Sequence, residues 1–71
     1  MRENLRNARK AAGMTQQELA DKLRISLTHY QNIEYGKALG SIKLWDDLED
    51  ITGINQRVLR ETHPVPLNNQ E

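Results

Sequence analysis

The sequence predicts an all-α fold, a compact bundle of five short helices, on three observations. Apolar residues recur every three or four positions in short runs, each introduced by a polar capping residue or closed by a glycine. Clusters of Val, Ile, Thr and aromatic residues of the kind that build strands are missing, and only 2 prolines interrupt the chain. With 71 residues and no cysteine, one small core must form by packing alone, because neither disulfides nor a thiolate metal site can support it.

Leu5, Ala8 and Ala12 mark a first helix from about Glu3, ended by Gly13 in the role of a C′ glycine. Thr15 then stands three residues before Glu18, the spacing of a capping box, and opens a second helix over about 16–23 with Leu19, Ala20 and Leu23 as its buried stripe. After a break at Arg24 and Ile25, Ser26 caps a third helix over about 27–35, which Gly36 closes. The segment from Lys37 to Gly40 reads as a loop. Ser41 caps a fourth helix over about 42–52, with Leu44, Trp45, Leu48 and Ile51 on its apolar side and Asp46, Asp47, Glu49 and Asp50 toward solvent. Gly53 stops that helix, and Asn55 caps a short last one from Gln56 to Glu61 that packs through Val58 and Leu59. The expected domain is 1–61, followed by a flexible tail over 62–71.

The net charge of zero hides a polarity. Arg2, Arg6, Arg9 and Lys10 face only Glu3 in the first thirteen residues, whereas Asp46, Asp47, Glu49, Asp50 and Glu61 outnumber Lys43, Arg57 and Arg60 near the C-terminus. Non-specific affinity for DNA comes mainly from cations that displace counterions, so the basic end suits nucleic acid and the acidic side discourages docking there. No stretch approaches the ~20 apolar residues of a membrane span, and the N-terminus lacks the apolar core of a secretory signal, so a cytoplasmic protein is expected.

The informative unit is the second helix, a tight turn and the third helix, a pair able to lay its second member in a major groove. Met14 to Ser26 read MTQQELADKLRIS, followed by Tyr30, Ile33, Glu34 and Gly36. This combination resembles the lambda repressor and Cro-like, or XRE-type, helix-turn-helix family over residues 5 to 59. The resemblance implies base contacts from Leu27, Thr28 and Asn32 and a backbone contact at Tyr35. It also implies a structural salt bridge between Arg9 and Glu34.

A helical wheel divides the third helix in the same way. From a zero at Leu27, Tyr30 and Ile33 fall near ~300° and ~240°, while Leu27, Gln31, Tyr35, Thr28 and Asn32 span ~0° to ~140°. The first pair packs inward, and the second set is exposed to read DNA. Gln31 joins the base-reading set on this ground. The Asn32 amide suits adenine, Thr28 offers a hydroxyl and a methyl, and Leu27 offers an apolar surface such as a thymine methyl would meet. The helix has no Lys or Arg, so weak guanine readout is expected. Phosphate contacts are expected from Gln16 at the start of the second helix, from Tyr35, from Lys37, and from Lys10, Arg6 and Lys43, with modest salt dependence.

The remaining residues take bland readings. Trp45 sits in a Leu and Ile stripe and reads as core and not as a stacking platform. His29 lies at the edge of the outward face, and His63 suggests no chemistry. The acidic set on the fourth helix lacks the ordered spacing of a calcium loop and reads as a solvated face. That helix departs from the family pattern at Glu49 and Thr52. Either a slight rotation compensates, or part of the stripe stays exposed and forms a subunit contact that Val58, Leu59 and Leu67 could join.

No metal, cofactor or catalytic constellation is expected, and the chain does not read as an enzyme. The resemblance implies a small transcriptional regulator, a repressor of bacterial or phage type, binding a pseudo-palindromic operator as a homodimer. The competing reading is an antitoxin-like module of the same fold whose main partner is a toxin protein.

Overall fold

The computed structural model describes residues 1–62. Five helices follow one another: α1 (Glu3–Ala11), α2 (Gln16–Leu23), α3 (Leu27–Glu34), α4 (Ile42–Thr52) and α5 (Gln56–Arg60). Among the described residues there is no strand. His63, Leu67 and nearly all of the expected tail lie outside the described residues.

The caps read from the sequence are present. The Thr15 hydroxyl accepts from the Glu18 N–H at 3.1 Å while the Glu18 carboxylate accepts from the Thr15 N–H at 2.8 Å, which closes the capping box. Ser26 and Ser41 accept from the His29 and Leu44 N–H groups at 3.0 Å and 3.1 Å. Each cap satisfies an N–H that the helix itself leaves without a partner, and each sets where its helix begins.

Every helix contributes to one core: Leu5 and Ala8 from α1, Leu19, Ala20 and Leu23 from α2, Tyr30 and Ile33 from α3, Leu44, Trp45 and Leu48 from α4, and Leu59 from α5. Burying each of the Leu and Ile side chains among them stabilises by about 1.5–3 kcal/mol, and such burial is the main force holding so short a chain together. α2 packs on α3, and α5 bridges α1 and α4. Ala12 does not belong to the apolar stripe of α1. The helix ends at Ala11, and Ala12 is its exposed C-cap. Leu59 is fully buried, so it cannot join an exposed patch, whereas its neighbour Val58 stays exposed.

Arg2 departs most from the sequence reading, which counted it with the basic end. Only 3% of it is exposed. Its guanidinium donates from Nε to the Arg60 carbonyl at 2.9 Å and from Nη1 to the carbonyls of Ile33 and Ala38, the latter at 2.8 Å. The same group lies 5.2 Å from the centroid of the Trp45 ring. Two of these carbonyls sit at the C-terminal ends of α3 and α5, where helix dipoles favour a cation. Burial lowers its pKa from the ordinary arginine value. Arg2 therefore ties three segments together and is not available to a phosphate.

The loop between α3 and α4 turns on Gly40, which has φ +79°. A Cβ built there would meet Leu44 Cδ2 at 2.9 Å and Trp45 Nε1 at 3.0 Å, so a side chain is excluded on two counts. The close approach lets the Trp45 indole donate to the Leu39 carbonyl at 2.8 Å. The ring is a buried core member with its one polar atom satisfied.

Candidate nucleic-acid interface

The α2–α3 junction is short because Arg24 takes the left-handed conformation, φ 61° and ψ 42°. Its N–H donates to the Asp21 carbonyl at 3.1 Å and the next N–H, of Ile25, to the Ala20 carbonyl at 3.1 Å, which ends α2 and turns the chain directly into the Ser26 cap. Arg24 is the one described residue other than glycine with positive φ. A left-handed conformation costs an L-residue with a Cβ about 1–2 kcal/mol.

Beneath α3 lies a closed polar network. Arg9 Nε donates to Glu34 Oε1 at 3.0 Å and Nη2 to Oε2 at 3.4 Å. The Tyr30 hydroxyl donates to Oε1 at 2.6 Å, and Gln16 Nε2 donates to Oε2 at 3.0 Å. Arg9 Nη1 is satisfied by the Met14 carbonyl at 2.9 Å. Glu34 is 1% exposed. Burial by itself would push its carboxyl up, but the hydrogen bonds from Arg9, Tyr30 and Gln16 outweigh it and hold the group below the usual carboxylate range. Burial would likewise lower Arg9, and Glu34 reverses the sign and raises it. Burial first, and then the bond to Glu34, push the Tyr30 phenol far above its ordinary value. The pair is thus an ion pair tying α1 to α3, in the arrangement expected for Arg9 and Glu34.

With Tyr30, Ile33 and Glu34 inward, α3 turns its other side out. Thr28 and Tyr35 are exposed, whereas Leu27, Gln31 and Asn32 are half-buried rather than fully exposed as the wheel suggested. Tyr35 is the C-cap of α3 and not its last turn. The Asn32 carbonyl accepts from the N–H groups of Lys37 and Ala38 at 2.8 Å and 3.1 Å, which folds the following loop back over the end of the helix.

The expected phosphate set divides. Lys10 and Lys37 stand exposed and outside the ion pairs of the described residues. Lys43 is exposed but 3.0 Å from Asp47, and it shares a groove with Ile25, His29 and Ser41, which places it beside the start of α3. Arg6 is half-exposed and 3.3 Å from Glu3. The Gln16 side chain is not the freely offered group that the sequence reading assumed. Its Nε2 is turned inward to Glu34, and its Oε1 accepts from Gln31 Nε2 at 3.1 Å. No local pattern marks this, because the partners lie 15 and 18 residues away in sequence. His29 is exposed at the groove edge. Among the described residues no group of three His, Cys, Asp or Glu side chains is placed to hold a metal ion. No helix among them is long and apolar enough to cross a membrane.

A helix-turn-helix family model matches residues 5–59, which takes in all of α2, α3 and α4 and most of α1 and α5. No curated protein and no solved structure matches the chain.

Proposed function

The chain belongs to the lambda repressor and Cro-like, XRE-type helix-turn-helix family of DNA-binding transcriptional regulators, and from that premise we propose that it is a repressor that reads a pseudo-palindromic operator as a homodimer. In this reading α3 enters the major groove, with Leu27, Thr28, Gln31 and Asn32 toward the base edges. Lys37, Lys10, Lys43, Arg6, Tyr35 and the N-terminus of α2 at Gln16 meet phosphates, which position the helix without reading sequence. The observation that carries the reading is the two-faced character of α3. Its inner side is anchored by a buried ion pair, and its outer side is polar and accessible.

With no lysine or arginine on α3, the helix of one copy gains little from counterion release. Two copies on half-sites about one turn of DNA apart combine their contacts, so a dimer is the functional unit. Selection of bound sites from random duplexes tests the reading. A symmetric motif with two half-sites at that spacing supports it, and a pool with no enriched sequence overturns it.

The antitoxin-like alternative draws support from Leu39 and Ile42, which are 81% and 80% exposed. In the homodimer reading these side chains are buried between copies. Sedimentation over a range of concentrations separates the two. Dimerisation that Ile42→Asp abolishes favours the homodimer, and a monomer at every concentration favours an apolar partner of a different kind.

A further inference from the structure

We infer that Glu34 sets, through Gln16, the amide orientation of Gln31, so that Gln31 faces outward with one N–H and its carbonyl oxygen as an adenine-reading pair. The inference rests on the DNA-binding reading and deepens it by naming how one base is chosen.

An ionised carboxylate accepts hydrogen bonds and donates none. The hydrogen bonds that hold the Glu34 carboxyl below the ordinary range keep it in that form at neutral pH. Gln16 must therefore turn its NH₂ toward Glu34, as the 3.0 Å contact to Oε2 records, and this leaves Gln16 Oε1 on the side of Gln31. An oxygen in that place accepts only, so Gln31 turns its own NH₂ inward, at 3.1 Å. Flipping either amide would remove a hydrogen bond and set two acceptors against each other. The polarity of Gln31 is thus imposed from the core through two successive contacts.

One N–H of Gln31 is engaged by Gln16, and the second N–H and Oε1 remain in the same plane. Adenine presents an acceptor at N7 beside a donor at N6 in the major groove, which matches that pair. Guanine presents two acceptors there, at N7 and O6, and would leave Oε1 facing one of them. Gln31 lies within the outward arc of α3, at ~40° from Leu27. It is half-buried against Gln16 on one side. Glu34 and Gln16 act here as positioning residues.

Competition binding to duplexes varied one position at a time, at fixed salt, tests this with the wild type, Gln31→Ala and Gln16→Leu. The wild type is expected to prefer adenine over guanine at one position of each half-site by roughly 5- to 150-fold. Gln31→Ala should abolish that preference. Gln16→Leu should weaken it by about 2- to 10-fold at the same position and leave the other positions as they were. A merely structural role for Gln16, or a phosphate contact alone, would lower affinity evenly and leave the preference intact. That result overturns the inference, as does an unchanged preference in Gln31→Ala. Should Gln16→Leu fail to fold, Gln16→Met keeps the side-chain length without the amide and gives the same readout. A wild type that binds no sequence selectively overturns the DNA-binding reading as well, whereas a selective wild type whose preferences ignore both substitutions overturns only the relay.

Discussion

The two faces of α3 are built on opposite rules. On the inner face Tyr30, Ile33 and Glu34 are at most 1% exposed, and the carboxylate meets donors from three other side chains. On the outer face Thr28 and Tyr35 are open, and Leu27, Gln31 and Asn32 are half open. The inner face cannot vary without leaving a buried charge or an empty space, and the outer face carries no comparable constraint from the fold. The contrast teaches that one helix can be held firmly by one side so that its other side is free to be chosen for recognition. Gln31 and Gln16 lie on the seam, where the inner network reaches the surface.

The largest expected effect comes from breaking the inner face. Glu34→Leu leaves Arg9 buried without its counter-charge and removes an acceptor from Tyr30, so stability should fall by about 3–5 kcal/mol in chemical denaturation. A loss under ~1 kcal/mol would mean that the ion pair is structurally dispensable. Acid probes the same group. Because its folded-state pKa lies below the ordinary value, Glu34 contributes stability that is present above the usual carboxylate range and lost as pH falls through and below it. Unfolding free energy should therefore decline below about pH 4.3, and in Glu34→Gln the decline should be shallower.

Next in size is the outer face. Asn32→Ala should cost ~1–3 kcal/mol at one operator position and relax the base preference there, with little change in melting temperature. Unchanged selectivity in a randomised-site assay would remove Asn32 from the reading set, and a large loss of stability would erase the distinction between faces at that residue. The junction that aims the helix offers a smaller effect of opposite sign. Arg24→Gly relieves the left-handed strain, less the entropy that glycine loses on folding, and should stabilise by about 0.5–1 kcal/mol, a few degrees in melting temperature. Destabilisation instead would show that the Arg24 side chain contributes more than its backbone costs. The smallest effect is expected at Lys37→Ala, which should weaken binding to all sequences alike and flatten the slope of log affinity against log salt by about one unit. A slope that does not move would exclude Lys37 from the phosphate contacts.

The bounds of α2 and α4 were legible because caps and apolar spacing are local signals. Thr15 with Glu18, Ser26 and Ser41 each satisfy N–H groups within three residues of themselves. The Arg9 and Glu34 pair was legible only through resemblance to a family, since nothing local links two residues 25 positions apart. Ala12 keeps the helical spacing of α1 yet lies outside its stripe, because α1 ends at Ala11 and Gly13 turns the chain away. Leu59 and Val58 look alike in the sequence, and only the approach of α1 and α4 to α5 decides which of them is buried.

By itself the sequence determined five helices, their starting caps, the inward stripes of α2, α3 and α4, and the order of residues that marks the helix-turn-helix. All of these depend on neighbours within one or two turns. The tertiary structure alone decided that Arg2 is an internal tie and not a surface cation, and that Gln16 looks toward Glu34 before it looks toward any phosphate. The partners of Arg2 lie 31, 36 and 58 residues away. A side chain with several donors takes whichever acceptors packing brings within reach, and packing brings residues together by shape, irrespective of their separation along the chain.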